Sequence, residues 1–179
     1  MRNRRGAFLA LALLLGGAAI ARAQDLSAGF QAGPSIGIGS FGEGRSLGTG
    51  WYAGLSVPLA FRTSRFGAEF DAGYSELPYT WAEGRGRVGV WVGNLSATMR
   101  ILPRWTVVRP YVALGLGVYY VEVPERNSVA PSGTAAVGVH VGSGKVRAFA
   151  EARYHYVLTW ERAMQFLPVT IGIRYAPPL

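Results

Sequence analysis

The chain of 179 residues is 50% hydrophobic but only 16% charged, and it contains no cysteine. Soluble domains usually carry about 25% charged residues, so this composition argues against an ordinary soluble protein. Without cysteine, disulfides, thiol catalysis and cysteine-ligated metal sites are excluded. Beyond the first 23 residues no apolar run approaches the roughly twenty residues of a membrane helix, which excludes a helical membrane protein.

The first 23 residues have the pattern of a secretory signal peptide. Arg2, Arg4 and Arg5 precede an apolar run over residues 7–20, and Ala21-Arg22-Ala23 supplies a small-x-small cleavage site. We therefore predict residues 1–23 as a cleaved signal peptide and residues 24–179 as one exported domain. Four of the 18 basic residues leave with the signal while all ten acids remain, so the mature net charge falls from +8 to +4.

The exported part alternates apolar and polar residues with the period of two that is typical of β-strands. The alternation is strictest near residue 150, where Val146 and Ala148 point to one face and Arg147 and Glu151 to the other. About ten residues are enough for a tilted strand to cross a bilayer. The pattern predicts eight strands, at about residues 27–41, 50–62, 65–75, 88–102, 110–123, 134–142, 145–157 and 166–175. Their apolar faces would contact lipid, and their polar faces would line the interior of a barrel.

Two tight turns predict the pairing of neighbouring strands, because the length of a turn fixes the register of its hairpin. The predicted pairs are Ala60–Gly67, Pro58–Glu69 and Ser56–Asp71 across residues 63–64, and His140–Arg147 and Ala136–Glu151 across residues 143–144. In both hairpins the polar faces then coincide.

The predicted connections alternate in length. Long loops over residues 42–49, 76–87, 124–133 and 158–165 lie at one end, which we call the loop end, and short turns lie at the other, the turn end. This asymmetry is typical of bacterial outer-membrane barrels, whose long loops face out of the cell. The loops carry nearly balanced charge, which argues against nucleic-acid binding. Aromatic residues form two expected interface girdles: Trp51, Tyr74, Trp91, Tyr120, Tyr154 and Tyr156 towards the loop end, and Phe30, Phe61, Phe66 and Tyr175 towards the turn end.

A polar network is predicted inside the barrel. Its eight inward residues are Glu69, Asp71, Arg100, Arg147, Glu151, Arg153, His155 and Arg174. Buried charges are costly unless they are paired, so we expect acids and bases to pair and inward glycines to make room for the arginines. An eight-stranded barrel is only wide enough for side chains to fill it. We therefore expect a plugged interior, with a thin water-filled passage as the alternative.

These features together resemble the small OmpA/OmpX-like outer-membrane β-barrel family. The resemblance rests on the signal, the eight strands, Arg109-Pro110-Tyr111-Val112 before a glycine-patterned strand, and the terminal strand of residues 168–175, and it spans about residues 25–175. It implies an all-β, eight-stranded antiparallel up-and-down transmembrane β-barrel in the bacterial outer membrane. Outer-membrane lipid and lipopolysaccharide would surround it, and the β-barrel assembly machinery would insert it, with Tyr175 as the candidate terminal aromatic signal. We expect a monomer without cofactor or metal, and the sequence does not name a partner for the loops.

Three functions are compatible with this barrel. The first is a non-enzymatic, structural or loop-mediated interaction role. The second is a lipid A-modifying barrel enzyme, with His155 and Glu151 as the candidate acid–base pair, although four residues along a strand separate them by roughly 13 Å. The third is a narrow minor pore. A soluble lipocalin-like barrel is the competing architecture, but its outer surface would then be the glycine-rich face with few charges.

Overall fold

The computed structural model describes residues 27–41, 44–60, 65–82, 84–102, 107–124, 126–142, 144–159 and 163–175. The predicted signal peptide lies outside these residues. The described strands are β1 (Ala28–Ile38), β2 (Ser40–Phe41), β3 (Arg45–Leu47), β4 (Thr49–Ala60), β5 (Phe66–Trp81), β6 (Gly84–Arg100), β7 (Val108–Val123), β8 (Arg126–Val141), β9 (Val146–Leu158) and β10 (Ala163–Tyr175). Over the same residues no helix is long and apolar enough to cross a membrane.

Eight of these strands close into a barrel. The long strands β1 and β4 to β10 pair antiparallel with their neighbours, and β10 returns to pair with β1 from Ala28 opposite Tyr175 to Ile38 opposite Gln165. The short strands β2 and β3 pair with each other, and Leu47 in β3 lies opposite Tyr79 at the end of β5. The predicted all-β, eight-stranded antiparallel up-and-down barrel is therefore confirmed.

The predicted division into an apolar outer face and a polar inner face is confirmed over the middle of the barrel. Leu116 in β7 is 77% exposed and Ile171 in β10 is 74% exposed, whereas Gln31 and Thr170 are buried inside. A continuous apolar exterior of this kind is rare on soluble monomers, but it is what lipid requires. The soluble lipocalin-like alternative needs the apolar face inside, so the structure contradicts it.

A girdle of aromatic side chains marks one edge of this apolar surface. The ring centroids of Trp51 and Tyr74 are 5.4 Å apart, and those of Tyr74 and Trp91 are 4.8 Å apart. We call these three residues the girdle. Phe66 lies eight positions before Tyr74 on the same strand, or about 27 Å at 3.4 Å per residue, and its side chain is exposed at the turn end. For a strand tilted by about 40° this spacing covers roughly 21 Å of height, close to the roughly 25 Å apolar band of outer-membrane barrels.

The predicted long loops are wrong, because the chain there is mostly strand. Strand β5 continues to Trp81 and β6 already begins at Gly84, so the predicted loop over residues 76–87 is a hairpin. Strand β8 likewise begins at Arg126 instead of residue 134, and β10 at Ala163 instead of 166. The loop end thus protrudes as paired strands, and we call residues 76–90 and 121–130 the extension.

The extension forms strands because the alternation of side chains continues beyond the girdle with its polarity exchanged. In β5 the outward residues change from aromatic and alanine to Glu76, Pro78 and Thr80, while Leu77 and Tyr79 turn inward and are buried. Water now surrounds the outer face, so the polar residues point out and the apolar residues pack inside.

The register is confirmed for one predicted hairpin and wrong for the other. Pro58 lies opposite Glu69, as predicted, with its neighbouring pairs also in place; turn residues 61–64 lie outside the described part. At the second hairpin His140 lies opposite Phe149, two positions away from the predicted Arg147, and Ala136 correspondingly lies opposite Arg153 instead of Glu151. Gly142 and Gly144 both have positive φ angles, 117° and 108°. These left-handed glycines build a turn longer than two residues, and the shift of two preserves which face each residue occupies.

Candidate functional site in the barrel interior

The centre of the barrel holds a buried network of ion pairs. Arg153 on β9 lies 2.7 Å from Glu151, 2.8 Å from Asp71 and 3.2 Å from Glu69. Arg174 on β10 lies 2.8 Å from the second carboxylate oxygen of Glu69. We call these five residues the central network; each of their side chains is at most 8% exposed. Alternate residues of β5 and β9 supply four of them, because positions i and i+2 share a face.

Neutral side chains add hydrogen bonds to the central network. The Tyr111 hydroxyl donates to Glu151 Oε2 over 2.7 Å, and Arg153 Nη1 donates to Ser96 Oγ over 2.8 Å. The Asn94 amide lies 2.6 Å from the same Ser96 hydroxyl. Additional hydrogen bonds of this kind help to offset the loss of hydration of buried charges, and β6 and β7 provide them.

At Gly115 and Gly172 the predicted room for arginines is wrong, because other side chains lie there. A Cβ on Gly115 would lie 2.4 Å from Ser96 Oγ, and one on Gly172 would lie 2.6 Å from the Phe149 ring. The Ser96 hydroxyl and the Phe149 ring occupy the space over these glycines, because Ser96 lies directly opposite Gly115 and Phe149 directly opposite Gly172 on the neighbouring strands.

His155 lies outside the ion pairs. Its Nδ1 is hydrogen-bonded to the Tyr119 hydroxyl, and its ring stacks on Phe166 with centroids 4.6 Å apart and an interplanar angle of 4°. The side chain is 1% exposed, and its Nε2 has no hydrogen-bond partner among the described residues. Glu151 is engaged with Arg153 instead, so the structure does not bring together the acid–base pair that the sequence suggested.

Arg100 and Arg147 lie towards the turn end, around a cavity of about 90 Å³. We call it the basic cavity; its charged and imidazole lining residues are Glu69, Arg100, Arg109, His140, Arg147 and Arg174. The predicted strand over residues 110–123 left out Arg109, and the predicted interior network did not include it. Its spacing of two from the inward Tyr111 was the signal that could have found it.

The loop end of the interior is filled by an apolar core. Its buried members include Tyr52, Leu77, Tyr79, Val88, Val90, Tyr119, Val121, Val157, Met164 and Phe166. These residues come from β4 to β7, β9 and β10, so side chains from around the barrel meet on its axis. Leu77, Tyr79 and Met164 of this core fall in segments that were predicted as loops, residues 76–87 and 158–165, so their place inside the barrel was not predicted.

The interior therefore has three layers, which are the basic cavity, the central network and the apolar core, and they decide what chemistry it can perform. The described residues contain no group of three or more His, Asp or Glu side chains that could hold a metal ion. The carboxylates of the central network are paired with arginines, and His155 is enclosed by aromatic rings. The arrangement is suited to rigidity at the centre and to electrostatic binding at the basic cavity.

No protein-family model and no curated protein sequence matches the chain, but solved structures do. Neisserial surface protein A superposes with a TM-score of 0.61 at 16% identity, over 84% of this chain and 96% of that one. The N-terminal β-barrel domain of Pseudomonas aeruginosa OprF gives 0.54 at 16% identity, over 86% of this chain and all of that one. Outer membrane protein AlkL gives 0.50 at 16% identity, over 88% and 92%. With its closed eight-stranded sheet and apolar exterior, the chain therefore has the fold of the small outer-membrane β-barrels to which its sequence pattern shows a resemblance.

Proposed function

We propose that the protein is a non-enzymatic β-barrel of the bacterial outer membrane with a structural or interaction role, and that the extension is the surface it presents to partners. The observation that carries this proposal is the exchange of polarity at the girdle. Below the girdle the barrel is built for lipid, and above it the same strands form a folded, water-facing element. A protein with this design holds a rigid polar surface at a fixed height above the membrane.

The closed interior argues against the pore. The central network and the apolar core lie one above the other along the axis, and three large side chains of the core, Tyr79, Tyr119 and Phe166, are at most 1% exposed. A continuous path for ions would have to displace both layers. Packed side chains of this kind are expected in an eight-stranded barrel.

The position of His155 argues against the lipid-modifying enzyme. A lipid substrate approaches from the outer face of the barrel, whereas the imidazole points inward between Tyr119 and Phe166. A general base must come within hydrogen-bond reach of the proton it removes, and no acyl chain reaches this position without opening the core.

The outer face of the extension offers features that a partner could recognise. Arg87 and Glu76 form an exposed ion pair of 3.0 Å across the β5–β6 hairpin. Beside it lies a cleft of about 410 Å³, whose lining includes Tyr74, Glu122 and Asn127. The cleft begins at the girdle, so a ligand in it would contact the protein where the membrane surface ends.

Reconstitution tests the proposal against both alternatives. The mature protein is placed in planar bilayers and in vesicles that contain lipopolysaccharide and phospholipid, beside a His155→Ala variant. We expect no sustained conductance and no change in lipid masses by mass spectrometry with either protein. A stable ohmic conductance would replace the proposal with a pore, and a new lipid species that the His155→Ala variant fails to make would replace it with an enzyme.

A further inference from the structure

The basic cavity at the turn end has a large excess of positive charge. Four arginines line it, and Glu69 is the one acid among its described lining residues. Glu69 is also shared with Arg153 of the central network. Inside the described barrel wall between the girdle and the turn end, five arginines face three acids, namely Arg100, Arg109, Arg147, Arg153 and Arg174 against Glu69, Asp71 and Glu151.

The strand register places two arginines next to each other in this cavity. Arg174 on β10 lies directly opposite Arg147 on β9. Like charges that face each other on one side of a sheet destabilise it. The fold therefore keeps an arrangement that an anion between the strands would relieve.

Aromatic stacking holds the groups that line the cavity in place. The His140 ring stacks on Tyr111 with centroids 4.5 Å apart and an interplanar angle of 12°. Arg174 Nη1 lies 3.1 Å from His140 Nε2, and its guanidinium lies over the Phe149 ring at 4.9 Å. Arg147 Nε donates to the carbonyl of Gly144, which anchors that side chain to the turn. A preformed set of donors loses little entropy when it binds a ligand.

One buried donor in the cavity wall has no partner of its own. Arg174 is 7% exposed, and its Nε has no hydrogen-bond partner in the described structure. A buried unsatisfied N–H of a charged group is unfavourable by more than a neutral one, so such a group marks a position where an acceptor would bind.

We propose that the basic cavity is a binding site for a small oxyanion, a phosphate or carboxylate group, supplied from the turn side of the membrane. Guanidinium groups match the geometry of both anions and bind them by charge-assisted hydrogen bonds. The volume of about 90 Å³ accommodates a group of several heavy atoms, since one water needs only about 10 to 15 Å³. The site lies at the opposite end of the barrel from the extension, so it is independent of the proposed interaction role.

Titration of the folded mature protein in zwitterionic detergent tests this site. Inorganic phosphate or acetate is added at constant ionic strength while the side-chain Nε–Hε resonances of Arg147 and Arg174 are followed by NMR. We expect saturable shifts and a rise in the melting temperature of the barrel with anion concentration, because a ligand that binds only the folded state stabilises it. Arg147→Gln should weaken the apparent affinity about tenfold, as expected for the loss of a charge-assisted hydrogen bond.

The matched control is Lys145→Gln, which removes the same charge two residues away at an exposed position outside the cavity. Its apparent affinity should stay within about twofold of the parent value, because the exposed Lys145 does not line the cavity and charges in bulk water interact by only about 1 kcal/mol even at close range. The arginine resonances are then compared in nanodiscs of phosphatidylcholine and of phosphatidylglycerol, to distinguish a soluble anion from a lipid headgroup as the ligand. Shifts with free phosphate identify a soluble anion, and shifts only with phosphatidylglycerol identify a lipid headgroup. Non-saturable shifts with every anion, or equal weakening in the two variants, would overturn the site, and the parent titration decides the matter even if Arg147→Gln does not fold.

Discussion

The same strands have opposite solvation on the two sides of the girdle. Below Tyr74, strand β5 places Phe66 and Phe70 towards lipid and Glu69 and Asp71 inside; above it, polar residues point out and apolar residues pack inside. The period of two is unbroken throughout. Alternation therefore identifies which residues share a face, whereas the height of a residue in the membrane decides which face must be apolar.

The two parts are also stabilised differently. In the extension, apolar side chains leave water for the core, so the hydrophobic effect drives packing. Below the girdle the outer side chains stay in contact with a medium as apolar as themselves. There the backbone hydrogen bonds of the closed sheet and the central network hold the barrel together. Substitutions should therefore have effects that depend on which side of the girdle they lie.

The largest effect is expected for Arg153→Met. It removes the partner of three buried carboxylates, and breaking a buried ion pair on one side costs about 3 to 5 kcal/mol. Arg87→Met is the control, since it breaks an ion pair whose arginine is 76% exposed in the extension, where about 0 to 1 kcal/mol is expected. Urea unfolding in lipid vesicles measures both. Equal free energies of unfolding for the two variants would contradict the assignment of the central network as a stabilising element.

A smaller effect is expected for an arginine placed on the outer face below the girdle. Leu116→Arg should destabilise the barrel by about 2 to 4 kcal/mol, because its side chain contacts the middle of the lipid band. Asn127→Arg, on the outer face of the extension opposite Glu122, should change stability by no more than about 0.5 kcal/mol, as is usual for water-exposed positions. Folding yield and urea midpoints in the same vesicles compare them. A tolerated arginine at Leu116 would mean that this face does not contact lipid.

Much of the fold below the girdle could be predicted from sequence because each strand there shows its own alternation. The facing of Pro58 and Glu69, for example, follows from hairpin geometry and was correct. The contacts of Arg153 with three acids could not be predicted in detail. Alternation assigns residues to the inner face, but the height at which β5 and β9 meet across the barrel depends on strand tilt and stagger.

The strands of the extension were not predicted, because the sequence of β6 alone does not show an apolar inner face at its start. At the start of β6 the inward positions are Gly84 and Gly86, so the residues there look like a polar loop. Tyr79 and Trp81 on β5 lie opposite these glycines and cover them; a Cβ on Gly86 would lie 2.5 Å from the Tyr79 ring. Aromatic side chains that cover cross-strand glycines complete the inner face of a sheet. The pattern appears only when both strands of the hairpin are considered together.

The most local effect is expected for Leu77→Ala, which tests whether the extension is a folded unit outside the cell. Leu77 is fully buried in the apolar core, and removing such a side chain costs at least about 2 kcal/mol. We expect the extension to open locally, without unfolding of the barrel, so proteolysis of its exposed Arg85 and Arg87 should follow the open population. Trypsin added to intact cells should then cut the Leu77→Ala extension about thirtyfold faster than the parent, on the basis of that 2 kcal/mol.

Leu95→Ala on the same hairpin is the matched control: its side chain is 55% exposed to lipid, so cleavage should stay at the parent rate. Lys145 at the turn end should be cut only after the outer membrane is opened. Cleavage at Lys145 in intact cells would invert the sidedness, and equal rates for the two leucine variants would mean that the extension has no stabilising core.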